Sequence, residues 1–197
     1  THVAESLEER RLLTAGDGPM RDFLATIGLG WNEPPAISPT AMFVSSTTAS
    51  RWLLAHGNDL SDDDIRLLRE AGASVAYCAR GHRYFGHTPK IGKHRWRDLR
   101  GAGVPVCLGT DSIINLPRAQ EGRMSPLDDA REVFRREAGQ DAELASTLVE
   151  MITTVPARAL GLNDALFTME PGEMLGIVAV EAGELRGRSD AHAVMEM

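Results

Sequence analysis

The strongest constraint in this sequence is a unit that occurs twice: a helical segment, a glycine stop and a short apolar strand. Asp64-Ile65-Arg66-Leu67-Leu68-Arg69-Glu70 spaces its apolar residues as a helix does, Ala71-Gly72-Ala73 interrupts it, and Ser74-Val75-Ala76-Tyr77-Cys78 reads as a strand. Arg97-Asp98-Leu99-Arg100-Gly101-Ala102-Gly103 leads in the same way into Val104-Pro105-Val106-Cys107-Leu108. In each case the glycine can take the positive φ at which helices end. Ser61 offers an N-cap to the first helix, and Asp62-Asp63-Asp64 place negative charge in its first turn. Arg51-Trp52-Leu53-Leu54-Ala55-His56 is a further short strand. Short apolar strands alternating with helices indicate an α/β protein with a parallel sheet covered by helices. Strand ends near residues 4, 56, 78 and 109 define four such units. That spacing is compatible with the roughly 30 residues per unit of an eight-unit barrel. An open doubly wound sheet is the competing architecture, but no Gly-rich phosphate loop follows any strand.

The flanking segments differ from these units. A Pro- and Gly-rich connection runs from Gly30 to Thr40, and a polar loop runs from Ser112 to about Met124. Helical periodicity follows over 128–139 and 142–153, and 156–162 ends on the Gly161-Leu162 step. The tail changes character: 176–181 reads as a strand, 181–184 as a turn and 185–188 as its partner. The expectation is a partial barrel over 1–168 and the start of a small β domain over 169–197. A net charge of −7 with no basic block argues against nucleic acid and anionic membrane surfaces as partners. No apolar stretch approaches membrane-spanning length, and the N-terminus lacks the basic and apolar regions of a signal peptide. A cytoplasmic protein is the expectation. Cys78 and Cys107, each inside an apolar run, read as buried free thiols. The chain opens on Thr1-His2-Val3-Ala4-Glu5, with no initiating Met and what reads as the end of a strand, which suggests a partial chain.

In a parallel barrel the chemistry gathers at the C-terminal ends of the strands. His2, His56 and Asp111 fall at such positions, and imidazoles with a carboxylate suit Zn²⁺ or Fe²⁺. Singly, each has an ordinary explanation: a hydrogen-bonded structural histidine, or an Asp that caps a helix. Glu5 follows His2 by three residues. On a continuing strand the two would point apart; with a turn near Ala4, Glu5 can face the same pocket and shuttle protons. Otherwise Glu5, Glu8 and Glu9 simply decorate the first turn of a helix. The run Arg80-Gly81-His82-Arg83-Tyr84-Phe85-Gly86-His87 reads either as a substrate-binding loop or as a surface loop whose aromatics pack on a neighbour. His94 and His192 have no supporting context and read as surface residues.

Taken in order, His2-Val3-Ala4-Glu5, Ala55-His56-Gly57, the Cys78-to-His87 run and Leu108-Gly109-Thr110-Asp111-Ser112 resemble the amidohydrolase superfamily, closest to its deaminase and chlorohydrolase branch. Thr154-Val155-Pro156-Ala157-Arg158-Ala159-Leu160-Gly161-Leu162 and Glu170-Pro171-Gly172-Glu173 resemble that branch's closing helix and its return to a small β domain. The resemblance implies the C-terminal portion, about strands five to eight, of a (β/α)₈ TIM-type barrel that carries one divalent metal, Zn²⁺ before Fe²⁺. It implies His2 and Asp111 as metal ligands and Glu5, His56 and Asp111 as catalytic groups. Arg80, His82, Tyr84, His87 and Ser112 would meet the substrate. The implied reaction is hydrolytic deamination of an aminated purine-like base or nucleoside, and the run from His82 to His87 most resembles aminodeoxyfutalosine deaminases. The alternatives are a triazine-type chlorohydrolase or aminohydrolase, or an inactive chain, because the family's His-x-His pair from the first strand is absent here. Ala79, Gly81 and Met174-Leu175-Gly176 also depart from the family's usual residues. The expected partners are a small-molecule substrate and, to cover two open sheet edges, either further copies of the chain or an N-terminal half-barrel.

Overall fold

A computed structural model describes residues 1–30, 33–46, 51–118, 124–167, 169, 171–172, 174, 176–180 and 189–196. Its compact units are two: Thr1–Tyr77 with His82–Pro105, and Cys78–Gly81 with Val106–Met197. Along the chain the first unit holds β1 (His2–Val3), α1 (Leu7–Thr14), α2 (Pro19–Thr26), α3 (Pro39–Ser45), β2 (Leu53–His56), α4 (Asp62–Glu70) and β3 (Ser74–Tyr77). After α5 (Ala79–Tyr84), at which the two units divide, it resumes with α6 (Thr88–Ile91) and α7 (Trp96–Gly101). The strands are parallel: His2 pairs with Ala55 and Val3 with His56, while Leu53, Leu54 and Ala55 pair with Ser74, Val75 and Ala76. Each crossover between them contains helix, as parallel pairing requires.

The repeated unit folds as its residues dictate. Ser61 and Asp64 close a reciprocal capping box at the start of α4, Ser61 Oγ accepting from the Asp64 amide at 3.1 Å and Asp64 Oδ2 from the Ser61 amide at 2.9 Å. Ile65 and Leu68 supply its buried face. Gly72 and Gly103 take φ of 62° and 87°, turning the chain out of α4 and α7 where a Cβ would strain. The expected strand at 104–108 is shorter, Val106–Leu108, because Pro105 has no N–H to give a ladder. The Pro105 carbonyl still accepts from the Val75 amide at 2.9 Å. Val3, Leu54, Val75, Leu68 and Leu99 are buried at the centre of this unit.

The second unit contains β4 (Val106–Leu108), a 3₁₀ turn Ile113–Asn115, α8 (Pro126–Arg136), α9 (Ala142–Ile152), α10 (Thr154–Ala159), a 3₁₀ turn Asp164–Leu166 and α11 (Asp190–Glu196). Val106, Phe134, Leu148, Met151 and Met195 form its core. The β appendage expected over 169–197 is not seen where the chain is described. Residues 176–180 form no strand, 181–188 lie outside the described residues, and 190–196 are helical. Burial explains that helix: Ala193 and Met195 are buried, and the Val194 carbonyl accepts from Arg131 Nε of α8 at 2.9 Å. Among the described residues no helix is long and apolar enough to cross a membrane. Cys78 and Cys107 are buried thiols, and burial pushes the Cys107 thiol up to about 11.

Candidate functional site

Backbone strain marks the strand ends. Among the described residues, positive φ outside glycine occurs at Ala4 (53°), Ala36 (55°), His56 (75°) and Asp111 (70°). Three of these four end or closely follow β1, β2 and β4, the positions where a parallel α/β fold gathers its chemistry. Left-handed backbone at a residue bearing Cβ is uncommon and persists where the surrounding bonds over-determine it.

In the first unit β1 stops at Val3, and the turn at Ala4 resolves the orientation that the sequence leaves open. Glu5 Oε2 lies 3.7 Å from His56 Nε2, and the rings of His2 and His56, on neighbouring strands, have centroids 4.9 Å apart. His56 is buried, His2 is exposed, and the Glu5 side chain is about one-third exposed. Glu5 precedes α1, whose N-cap is Ser6; the first-turn acids are Glu8 and Glu9. Glu9 does more than decorate: its two oxygens accept from the amides of Ala4 (3.1 Å) and Glu5 (2.8 Å). Burial raises the pKa of this carboxyl, while the two amide bonds pull the other way.

The run 80–87 is not a loop throughout. Ala79–Tyr84 is helical, and the stretch continues through a turn at Gly86 into α6. His82 is buried, with Nδ1 3.0 Å from Asn58 Oδ1 and Nε2 3.1 Å from the Gly92 carbonyl. Those contacts account for it as a structural group. Tyr84 is exposed and packs edge-on against Phe85. His87 is buried, and its Nδ1 has no hydrogen-bond partner among the described residues. Its pKa is lowered by burial, an effect that the Glu5 charge opposes.

His94, expected at the surface, is buried instead. It stacks on Tyr77 with centroids 3.9 Å apart, and its Nε2–H donates to the His56 carbonyl at 2.8 Å. Burial lowers its pKa to about 3, which the bond to the carbonyl only partly opposes. The folded state therefore takes up this proton far below the 6.5 of the unfolded chain. Stability is full above that value and falls as the pH drops from 6.5 toward about 3, by ~1.4 kcal/mol per pH unit from this group. Urea unfolding midpoints measured across that window should show the fall, and His94→Gln should flatten it. His192, the other histidine expected at the surface, is half-buried beside Phe134, with Nε2 3.2 Å from Glu196.

In the second unit Asp111 is exposed, and its Oδ2 accepts from Asn115 Nδ2 at 2.7 Å, which fixes the rotation of the carboxylate. Gly81 permits that position: a Cβ there would come within 2.9 Å of Asp111 Oδ2 and 3.2 Å of Asn115 Nδ2. Ser112 caps the 3₁₀ turn, its Oγ accepting from the Ile114 amide at 3.3 Å. Arg80, expected to meet substrate, is 2% exposed, with Nε on Asp129 Oδ1 at 2.6 Å. The other oxygen of Asp129 accepts from Thr110 Oγ1 at 2.5 Å, so this buried pair braces the residue just before Asp111. A buried carboxylate so paired holds structure, and removing it strands the guanidinium. Asp129→Ala should cost about 3–5 kcal/mol of stability, read from urea unfolding.

The chain is similar to known proteins. The sequence pattern of the amidohydrolase family matches residues 10–193. An aminodeoxyfutalosine deaminase of Deinococcus radiodurans is 31% identical over 122 residues, covering 57% of this chain and 28% of that protein. A 5-methylthioadenosine/S-adenosylhomocysteine deaminase of Teredinibacter turnerae is 30% identical over 133 residues, covering 66% of this chain and 28% of its own length. The crystal structure of Helicobacter pylori aminofutalosine deaminase, in complex with methylthio-coformycin, superposes with a TM-score of 0.62 at 22% identity, over 83% of this chain and 38% of that one. The chain thus spans under one-third of the length of either of these curated relatives. With a parallel α/β sheet, a histidine and a carboxylate together at its strand ends and the family's pattern across nearly its whole length, the chain belongs to the amidohydrolase family.

Proposed function

We propose that this chain supplies the last four strands of a (β/α)₈ barrel and part of the catalytic face of a metal-dependent deaminase. The observation that carries the reading is the approach of Glu5 to His56 beside the ring of His2, just past the ends of two adjacent parallel strands. Imidazole nitrogens and carboxylate oxygens are donors that suit Zn²⁺, or Fe²⁺ in its place. His2 and Asp111 would hold the ion, with further ligands from outside this chain. A divalent cation bound there supplies Lewis acidity and makes water acidic enough to ionise near neutral pH.

The chain's own residues then divide the proton work. Asp111 accepts a proton from the attacking water, and its bond to Asn115 keeps the carboxylate aimed. Glu5 donates a proton to the ring nitrogen next to the reacting carbon, which makes that carbon electrophilic. His56, buried and braced through its carbonyl by His94, stabilises the oxygen as the C–O bond forms. Asp111 passes the proton it took from water to the amine as the C–N bond breaks, and Glu5 takes back the proton of the new hydroxyl, so amine and water become a ring carbonyl oxygen and ammonia. His87, Tyr84 and Ser112 are the proposed substrate contacts. His87 is the strongest of these, because its buried Nδ1 has no partner among the described residues.

The relatives are named deaminases of aminodeoxyfutalosine and of 5-methylthioadenosine/S-adenosylhomocysteine, which supports an adenosine-like or aminodeoxyfutalosine-like nucleoside as the proposed substrate class. The intact protein loaded with zinc should release ammonia from at least one of these and lose the activity to a chelator. Metal-loaded protein that releases none across the panel would overturn the reading.

A further inference from the structure

The peptide that carries Glu5 is held from every side by side chains that the reaction itself does not need. Its amide donates to Glu9 Oε2 at 2.8 Å, and the preceding amide, Ala4, donates to Glu9 Oε1 at 3.1 Å. Its carbonyl accepts from Asn58 Nδ2 at 3.0 Å, across 53 residues of sequence. The Ala4 carbonyl accepts from the Asn58 amide at 2.8 Å and from the Asp59 amide at 3.0 Å. Asn58 therefore grips two successive carbonyls, one with its backbone and one with its side chain, at the residue where φ turns to 53°.

The direction of the Asn58 side chain is fixed. A carbonyl only accepts, so Nδ2 must face Glu5, which leaves Oδ1 toward His82 Nδ1 at 3.0 Å. The Gly92 carbonyl lies 3.1 Å from the other ring nitrogen, Nε2; both neighbours only accept, so a neutral His82 ring donates to one of them at a time. Asn58 and His82 are 2% and 3% exposed, so water is a poor substitute for either bond. A surface turn needs no such scaffold. A carboxyl that must meet one ring nitrogen does, because misplacement by about 1 Å costs on the order of 100-fold in rate.

We propose that Asn58 is a positioning residue for Glu5, with His82 fixing its amide and Glu9 holding the other side of the same peptide. The inference rests on Glu5 being the proton carrier. Asn58→Leu, which keeps the volume and removes both polar atoms, should lower kcat roughly 10–100-fold with KM changed by less than about twofold. Bound metal should stay the same, since neither metal ligand touches Asn58 in the proposal. Amide hydrogen exchange of the metal-free protein, which requires no activity, should rise about tenfold or more in the peptide carrying Ala4 and Glu5. The peptide of β3 should exchange as before. Asn58→Gln, which restores an amide donor on a longer stem, should recover part of kcat. If Asn58→Leu does not fold, Asn58→Asp keeps the shape, loses the donor to Glu5 and should give the same split.

A folded Asn58 variant with wild-type kcat and unchanged exchange would overturn the proposal. So would a variant in which kcat and metal content fall while the β3 exchange rises as well, since that is general loss of structure. Glu5→Gln serves as the separating control. Wild-type turnover in that variant sinks the role of Glu5 and the catalytic part of this proposal with it, and the exchange arm alone then decides whether Asn58 holds the turn.

Discussion

Asp111→Ala should lower the affinity of the intact protein for zinc by more than about 100-fold and lower turnover with it. The magnitude follows from the position of the residue. Outer partners of a metal ligand typically cost 10–100-fold when removed, so loss of the ligand itself should exceed that. Asp111 stands just past β4 with φ of 70°, a conformation that a residue with a side chain does not take without reason. Asn115 orients the carboxylate, and the missing Cβ of Gly81 leaves it room. Beneath it Thr110 is tied to the buried Asp129–Arg80 pair. So much local structure around an exposed aspartate is hard to account for by solubility. Titration against a chromophoric chelator reads the affinity directly. Undiminished zinc binding in the variant would remove Asp111 from the ligand set.

Glu5→Gln should separate chemistry from metal binding. The substitution keeps the size and shape of the side chain but removes the transferable proton. The expected result is full metal content, KM close to wild type and kcat lower by about 10²–10⁴-fold, the usual worth of a positioned general acid or base. A variant that loses metal in parallel with activity would instead make Glu5 a ligand, a role its 3.7 Å approach to His56 does not require.

Most of the fold was legible because its signals are local. The glycine stops at Gly72 and Gly103, the Ser61 cap and the apolar runs into β3 and β4 each depend on residues within one turn or strand. The strand ends were legible for the same reason, and they put His2, His56 and Asp111 where a barrel keeps its chemistry. What the sequence hid are contacts between distant residues. His94 sits among polar neighbours with no periodicity, yet it stacks under Tyr77 and holds a carbonyl 38 residues away. Arg80 adjoins Gly81 and His82 and so looked like part of a binding loop, while its partner Asp129 lies 49 residues on. Asn58 gave no sign at all. Glu9 did: Ser6-Leu7-Glu8-Glu9 carries the spacing of a capping box, although the carboxylate reaches the Ala4 and Glu5 amides rather than the cap's own. In the tail, 176–180 form no strand, and the segment expected to pair with them, 185–188, lies outside the described residues.

In the proposed reaction water supplies the oxygen that replaces the amine. Turnover of the zinc-loaded intact protein in oxygen-18 water, with the product analysed by mass spectrometry, tests this most directly. One labelled oxygen is expected on the carbon that lost ammonia, in amounts matching the ammonia released. Product without label, or loss of the amine without a new oxygen at that carbon, would contradict it.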